Sequence, residues 1–200
     1  MAEQFSLFGD PVPKAPTSAP KPKGGREPYS LFFSLFPTPE DAVEIAGING
    51  ALLRAQGLTG KALLPHRLHV TCHDLGNFTE LPQDLVDAAI RAGDSLAFDA
   101  FDVMFDRALS YPSAGTYVLS GTDGTRQLTA FREELGEAMR DQGLRVSRSF
   151  TPHMTLVYDR RVVAEHAIEP VRWRAREFVL IRSHVGQGIY DVLGRWPLAE

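Results

Sequence analysis

Ser149-Phe150-Thr151-Pro152-His153-Met154-Thr155-Leu156-Val157-Tyr158 is the stretch on which the fold turns. β-branched and aromatic residues dominate it, and Pro152 disfavours a helix interior, so it reads as a strand. Strand side chains alternate faces, which puts His153, Thr155 and Val157 on one side and Phe150, Met154 and Leu156 on the other. The second set is a candidate core face. The first shows an imidazole beside a hydroxyl, and the same parity turns Tyr158 away from His153.

The pattern occurs a second time. In Leu68-His69-Val70-Thr71-Cys72, His69 and Thr71 share one face while Leu68, Val70 and Cys72 share the other. A single His-x-Thr is an ordinary polar strand face. Two copies, each inside an apolar strand and 84 residues apart, point to one bipartite site.

Working outward from the two strands, Tyr29 to Phe36 is a strand apolar on both faces, hence central. Thr38 caps a helix with Pro39 at its first position and Glu40 and Asp41 in its first turn; it runs to Ala55 and ends at Gly57. The first His-x-Thr strand follows Pro65 and closes at Gly76. Leu85, Ala88 and Ala89 mark a second helix ending near Gly93, and Ala97 to Phe105 reads as a strand. Thr116 to Ser120 is the next strand. A helix capped by Thr122 or Asp123 follows, with Leu128, Phe131, Leu135 and Met139 at helical spacing and Gly143 as its stop. Arg176 to Ser183 and Gly188 to Arg195 form a closing hairpin.

Strand, helix, His-x-Thr strand and a further strand thus occur from Tyr29 and again from Thr116. The expected fold is α+β: one bilobed domain over 29–200, with two antiparallel sheets flanking a central cleft and helices outside. A pseudo-two-fold axis would bring the two His-x-Thr faces together across that cleft. Residues 1–28 hold six of the fourteen prolines and little to bury, and read as a flexible tail.

Composition narrows the class. The chain has 200 residues, 44% of them hydrophobic, enough for a well-cored domain. No apolar run reaches membrane-spanning length, and there is no signal-peptide core. The single cysteine excludes an internal disulfide framework and fits a reducing cytosol. Net charge is −4, but unevenly spread: 145–195 carry nine arginines, no lysine and five acids, whereas 29–144 carry −8. An anionic ligand is expected on the positive side, which holds the second His-x-Thr strand.

Two imidazoles facing one ligand can act as general base and general acid in a single displacement, because histidine populates both protonation states near neutrality. The hydroxyls of Thr71 and Thr155 lie beside them, placed to hold non-bridging oxygens of a phosphate. No metal is required. His66, His69 and His73 have helical spacing, but Pro65, Val70, Thr71 and Cys72 favour a strand, on which His69 and His73 face one way and His66 the other. Cys72 points into the apolar face, where a thiol is inert.

His69-Val70-Thr71-Cys72 and His153-Met154-Thr155-Leu156 resemble the paired motifs of the 2H phosphoesterases. The nearest branch is the bacterial 2′-5′ RNA ligase family, also described as RNA 2′,3′-cyclic phosphodiesterases. The likeness runs from about Tyr29 to Leu198, including Leu75-Gly76, Phe150-Thr-Pro-His-Met-Thr-Leu156 and Phe178-Val-Leu-Ile-Arg-Ser183. It implies metal- and cofactor-free opening of a 2′,3′-cyclic phosphate to a 2′-phosphate, with RNA or nucleotide ends as its partners; the chain is expected to be a cytoplasmic monomer. His69 and His153 are then the catalytic pair, and Thr71 and Thr155 the phosphate binders. Ligation of 2′-5′ ends and a non-catalytic RNA-end or nucleotide-binding adaptor are the alternatives. Two positions depart from the pattern: Tyr158 stands where many members have an arginine, and Asp74 where an aromatic is usual.

The tail carries one further motif. Gln4-Phe5-Ser6-Leu7-Phe8 resembles the pentapeptide that docks bacterial proteins on the DNA polymerase sliding clamp, with Gln4 at the rim and Leu7 and Phe8 in an apolar pocket.

Overall fold

The computed structural model describes residues 28–200. In chain order it contains β1 (Tyr29–Leu35), α1 (Pro39–Gln56), a 3₁₀ turn at Pro65–Arg67, β2 (Val70–Phe78), α2 (Gln83–Ser95), β3 (Phe101–Tyr111) and β4 (Thr116–Ser120). A second 3₁₀ turn at Asp123–Thr125 leads into α3 (Arg126–Asp141), β5 (His153–Tyr158), β6 (His166–Ala175), β7 (Glu177–His184) and β8 (Ile189–Pro197). The strands form two antiparallel sheets, ordered β2-β1-β7-β8 and β5-β4-β3-β6. This is the expected α+β architecture. The motif Gln4–Phe8, with Gln4, Leu7 and Phe8, lies outside the described residues.

Local chemistry accounts for most element ends. The Thr38 hydroxyl accepts from the Asp41 amide at 3.2 Å, and Gly57 closes α1 in the left-handed region at φ 63°. β1 lies between β2 and β7, as its two apolar faces require. Leu31, Phe33 and Leu35 enter the main core, each burial worth about 1.5–3 kcal/mol. Phe32 and Phe36 instead join Val179 and Ile181 in a separate small cluster on the sheet's other face.

Several boundaries differ from the sequence reading. Gly93 lies inside α2, not at its end; a Cβ there would stand 2.4 Å from the Trp196 ring, so the residue is small to admit the indole. β3 starts at Phe101 and continues six residues past Phe105. Neither Thr122 nor Asp123 caps α3: the 3₁₀ turn intervenes, and the Thr122 hydroxyl bonds Asp106 at 3.2 Å. The first motif strand begins at Val70, directly after His69, and runs past Gly76 to Phe78, and the second begins at His153, not Ser149. β6 was not expected at all. It is an edge strand whose inward residues Val171, Trp173 and Ala175 alternate with exposed ones, and a register irregularity near Pro170 interrupts its pairing with β3.

The repeat is also not one of contiguous lobes. β3 and β6 complete the sheet of β4 and β5, whereas the C-terminal hairpin β7–β8 completes the sheet of β1 and β2. The first sheet therefore takes two strands from the far end of the chain, whereas the second is built from four consecutive strands.

Candidate active site

Each motif strand carries a β-bulge at the same place. In β1·β2, Ser34 pairs with Thr71 and Phe33 with His73, so Cys72 is the extra residue. In β4·β5, Val118 pairs with Thr155 and Tyr117 with Val157, so Leu156 is the extra residue. In both, the bulge directly follows the threonine and reverses parity beyond it. His69 with Thr71, and His153 with Thr155, keep the expected common faces. Beyond each bulge the sequence reading is overturned: His73 and Val157 turn into the core, and Tyr158 returns to the face of His153 and Thr155.

The two histidines are held alike. Nδ1 of His69 lies 2.7 Å from the Arg67 carbonyl, and Nδ1 of His153 lies 2.7 Å from the Thr151 carbonyl. A carbonyl can only accept, so each Nδ1 carries the hydrogen and each Nε2 is left to exchange a proton with a ligand. β2 and β5 pack against each other, and the charge of His153 bears on His69. The two motifs therefore meet across one cleft.

Their surroundings differ. His69 is stacked on Phe32 and Phe36, with ring centroids 5.5 and 5.3 Å away, and Tyr190 meets it edge-on at 5.7 Å. Burial in this aromatic box, chiefly, lowers the His69 pKa to about 4. His153 meets a single ring, Tyr111, edge-on at 5.3 Å. Register puts Ser120, Arg107 and Tyr111 on its side of the second sheet. Burial likewise raises the pKa values of Tyr190 and Tyr111.

Cross-lobe bonds hold both bulges. The Leu156 carbonyl accepts from the Leu63 amide at 2.9 Å and from Asn49 Nδ2 of α1 at 3.2 Å. Reciprocally, Arg132 of α3 donates from Nε to the Cys72 carbonyl at 3.3 Å. The same guanidinium bonds the carbonyls of Ser147 and Ser149 in the loop leading to His153 and lies 4.7 Å over the Phe150 ring. Each half thus pins the irregularity of the other. Neither Asn49 nor Arg132 is visible as a site residue in the sequence, because their partners are 107 and 60 positions away.

The remaining candidates are placed as follows. His73 Nε2–H donates to the Arg132 carbonyl at 2.8 Å, and burial lowers its pKa to about 4; it does not converge with His69. Burial pushes the Cys72 thiol far above its usual range. Among the described residues no group of three histidine, cysteine or acidic side chains is arranged to hold a metal ion. Arg67 sits 5.5 Å over the Tyr190 ring beside His69. The cleft-facing Phe32, Phe36 and Tyr190 were missed, although a strand apolar on both faces was the signal for the first two.

Residues 37–187 match the family described as the 2′-5′ RNA ligase superfamily. No curated relative matches the chain. Among solved structures, a phosphoesterase superposes with a TM-score of 0.69 at 24% identity, over 87% of this chain and all of that one. E. coli LigT complexed with ATP gives 0.67 at 22%, over 87% and 100%. The same protein complexed with 3′-AMP gives 0.67 at 23%, over the same shares. At such identities the likeness speaks to the fold.

Proposed function

The chain belongs to the 2′-5′ RNA ligase superfamily, and from that premise we propose that it opens 2′,3′-cyclic phosphates at RNA or nucleotide ends to 2′-phosphates. The observation that carries the reading is the matched pair of imidazoles, each with Nδ1–H tied to a carbonyl so that Nε2 is the nitrogen left to exchange a proton. One Nε2 takes a proton from the attacking water as its oxygen bonds to phosphorus. The other Nε2–H gives its proton to O3′ as the P–O3′ bond breaks. The product is a 2′-phosphomonoester and a free 3′-hydroxyl. Each positioned proton transfer is worth about 10²–10⁴-fold. Thr71 and Thr155, one on each strand, hold the non-bridging oxygens while charge builds on them.

The nucleotides held by E. coli LigT support a nucleotide ligand for the same cleft. The test is incubation with nucleoside 2′,3′-cyclic phosphates in EDTA, with product regiochemistry read by phosphorus NMR. The expected product is the 2′-phosphate. Loss of all turnover in EDTA, restored by zinc, or a 3′-phosphate product would overturn the reading. Attack by an RNA 5′-hydroxyl instead of water would give 2′-5′ ligation with the same two proton transfers; RNA carrying a 5′-hydroxyl end in the assay separates the two outcomes.

A further inference from the structure

The bulge at Leu156 has placed an aromatic ring where strand parity forbids one. Tyr158 shares the face of His153 and Thr155, and the residue is 60% exposed. With Lys61, Leu64 and Arg67 it lines a hollow of about 320 Å³. Leu64, beside it, is 50% exposed. Arg67 lines the same hollow as Tyr158 and lies 5.5 Å over the Tyr190 ring, which in turn meets His69 edge-on. The Arg67 Nε is buried without a hydrogen-bond partner among the described residues.

An open aromatic face, an apolar neighbour and two cations beside a phosphate-handling pair form the surface that a nucleotide requires: a platform for the base and positive charge for phosphate. We propose that Tyr158 is the nucleobase platform of this enzyme, stacking the base of the nucleotide whose phosphate enters the cleft, with Arg67 and Lys61 attracting phosphates of the same strand. The inference rests on the proposed function for its ligand class, but its test does not depend on turnover.

The experiment is calorimetric titration of the full chain with 3′-AMP and, separately, with inorganic phosphate. Tyr158→Ala is expected to weaken 3′-AMP about tenfold, the range of a lost base–aromatic stack, and to leave phosphate affinity unchanged. Tyr158→Phe keeps the flat face and is expected to bind 3′-AMP like the parent. An equal loss for both ligands, no loss for either, a Tyr158→Phe variant as weak as alanine, or a parent protein that fails to bind 3′-AMP would each overturn the platform. Selective loss of 3′-AMP in a protein that hydrolyses no cyclic phosphate would retain the platform and discard the proposed reaction.

Discussion

The first His-x-Thr strand and the second are built to one plan and set in different media. Both tie imidazole Nδ1 to the carbonyl two residues back, and both break register directly after the threonine. Yet His69 is enclosed by Phe32, Phe36 and Tyr190, whereas His153 meets only Tyr111 and shares its side with a serine and an arginine. Geometry has been duplicated while dielectric has not. A shared backbone device fixes which nitrogen of each ring is presented; the side chains around it set how readily that nitrogen holds a proton. In the free protein the aromatic box keeps His69 neutral. An anionic phosphate in the cleft favours the imidazolium and opposes that bias.

The largest effect should come from deleting either imidazole. His69→Ala and His153→Ala are each expected to lower turnover by about 10²–10⁴-fold, with the double variant little worse, because the two share one proton cycle. A mild loss in one and a severe loss in the other would break the comparison, leaving a single working histidine.

The reciprocal braces come next. Arg132→Met removes bonds to three carbonyls, of which that of Ser149 keeps another donor, the Ser147 hydroxyl. It is expected to cost about 3 kcal/mol in denaturant unfolding; Asn49→Leu removes one bond and is expected to cost about 1–2 kcal/mol. Both should also lower turnover, since each holds a bulge that aims a motif. Equal stability losses would contradict the assignment of Arg132 as the heavier brace.

Acid should separate the two halves. His69 and His73 both have folded-state pKa values lowered to about 4, so the unfolded chain binds more protons below pH 6.5 and stability falls as pH drops. Each imidazole is expected to contribute about 2 kcal/mol of loss between pH 6.5 and 5, above the carboxylate range. Inorganic phosphate, by favouring the charged form of His69, should recover part of it. A melting temperature that is level over that window would show that neither ring is kept neutral.

The two threonines test the symmetry of the phosphate cradle. Thr71→Val and Thr155→Val should each cost about 1–3 kcal/mol in kcat/KM, the worth of a hydrogen bond to a charged acceptor. A cost confined to one threonine would mean that the phosphate leans on one strand.

Much of this site was legible from residue order. The motif strands, β1 with its two apolar faces, α1 with its Thr38 cap and Gly57 stop, and the closing hairpin all follow from local chemistry. What failed had a common cause. His73, Val157 and Tyr158 were misassigned because alternation was carried through Cys72 and Leu156, and a bulge is fixed by the partner strand and by Asn49, Leu63 and Arg132, none of them near in sequence. β6 escaped because Pro170 and its charged outward residues mask a one-sided apolar alternation. Gly93 mimicked a helix stop because its neighbour Trp196 belongs to the far end of the chain.

The interleaving of strands bears on synthesis at the ribosome. β1 is among the first strands to emerge, but one of its two neighbours, β7, emerges 155 residues later, at the Tyr29↔His184 end of the pairing. Until then β1 offers an unpaired edge with Phe32 and Phe33 on opposite faces, a template for the wrong partner. Closing so long a loop is slow relative to local hairpins. The β4–β5 and β3–β6 sheet can assemble earlier, since its last strand ends at Ala175. A nascent chain is therefore half-built around His153 before His69 acquires its aromatic box, and chains released before β7 would carry one formed motif and one adhesive strand.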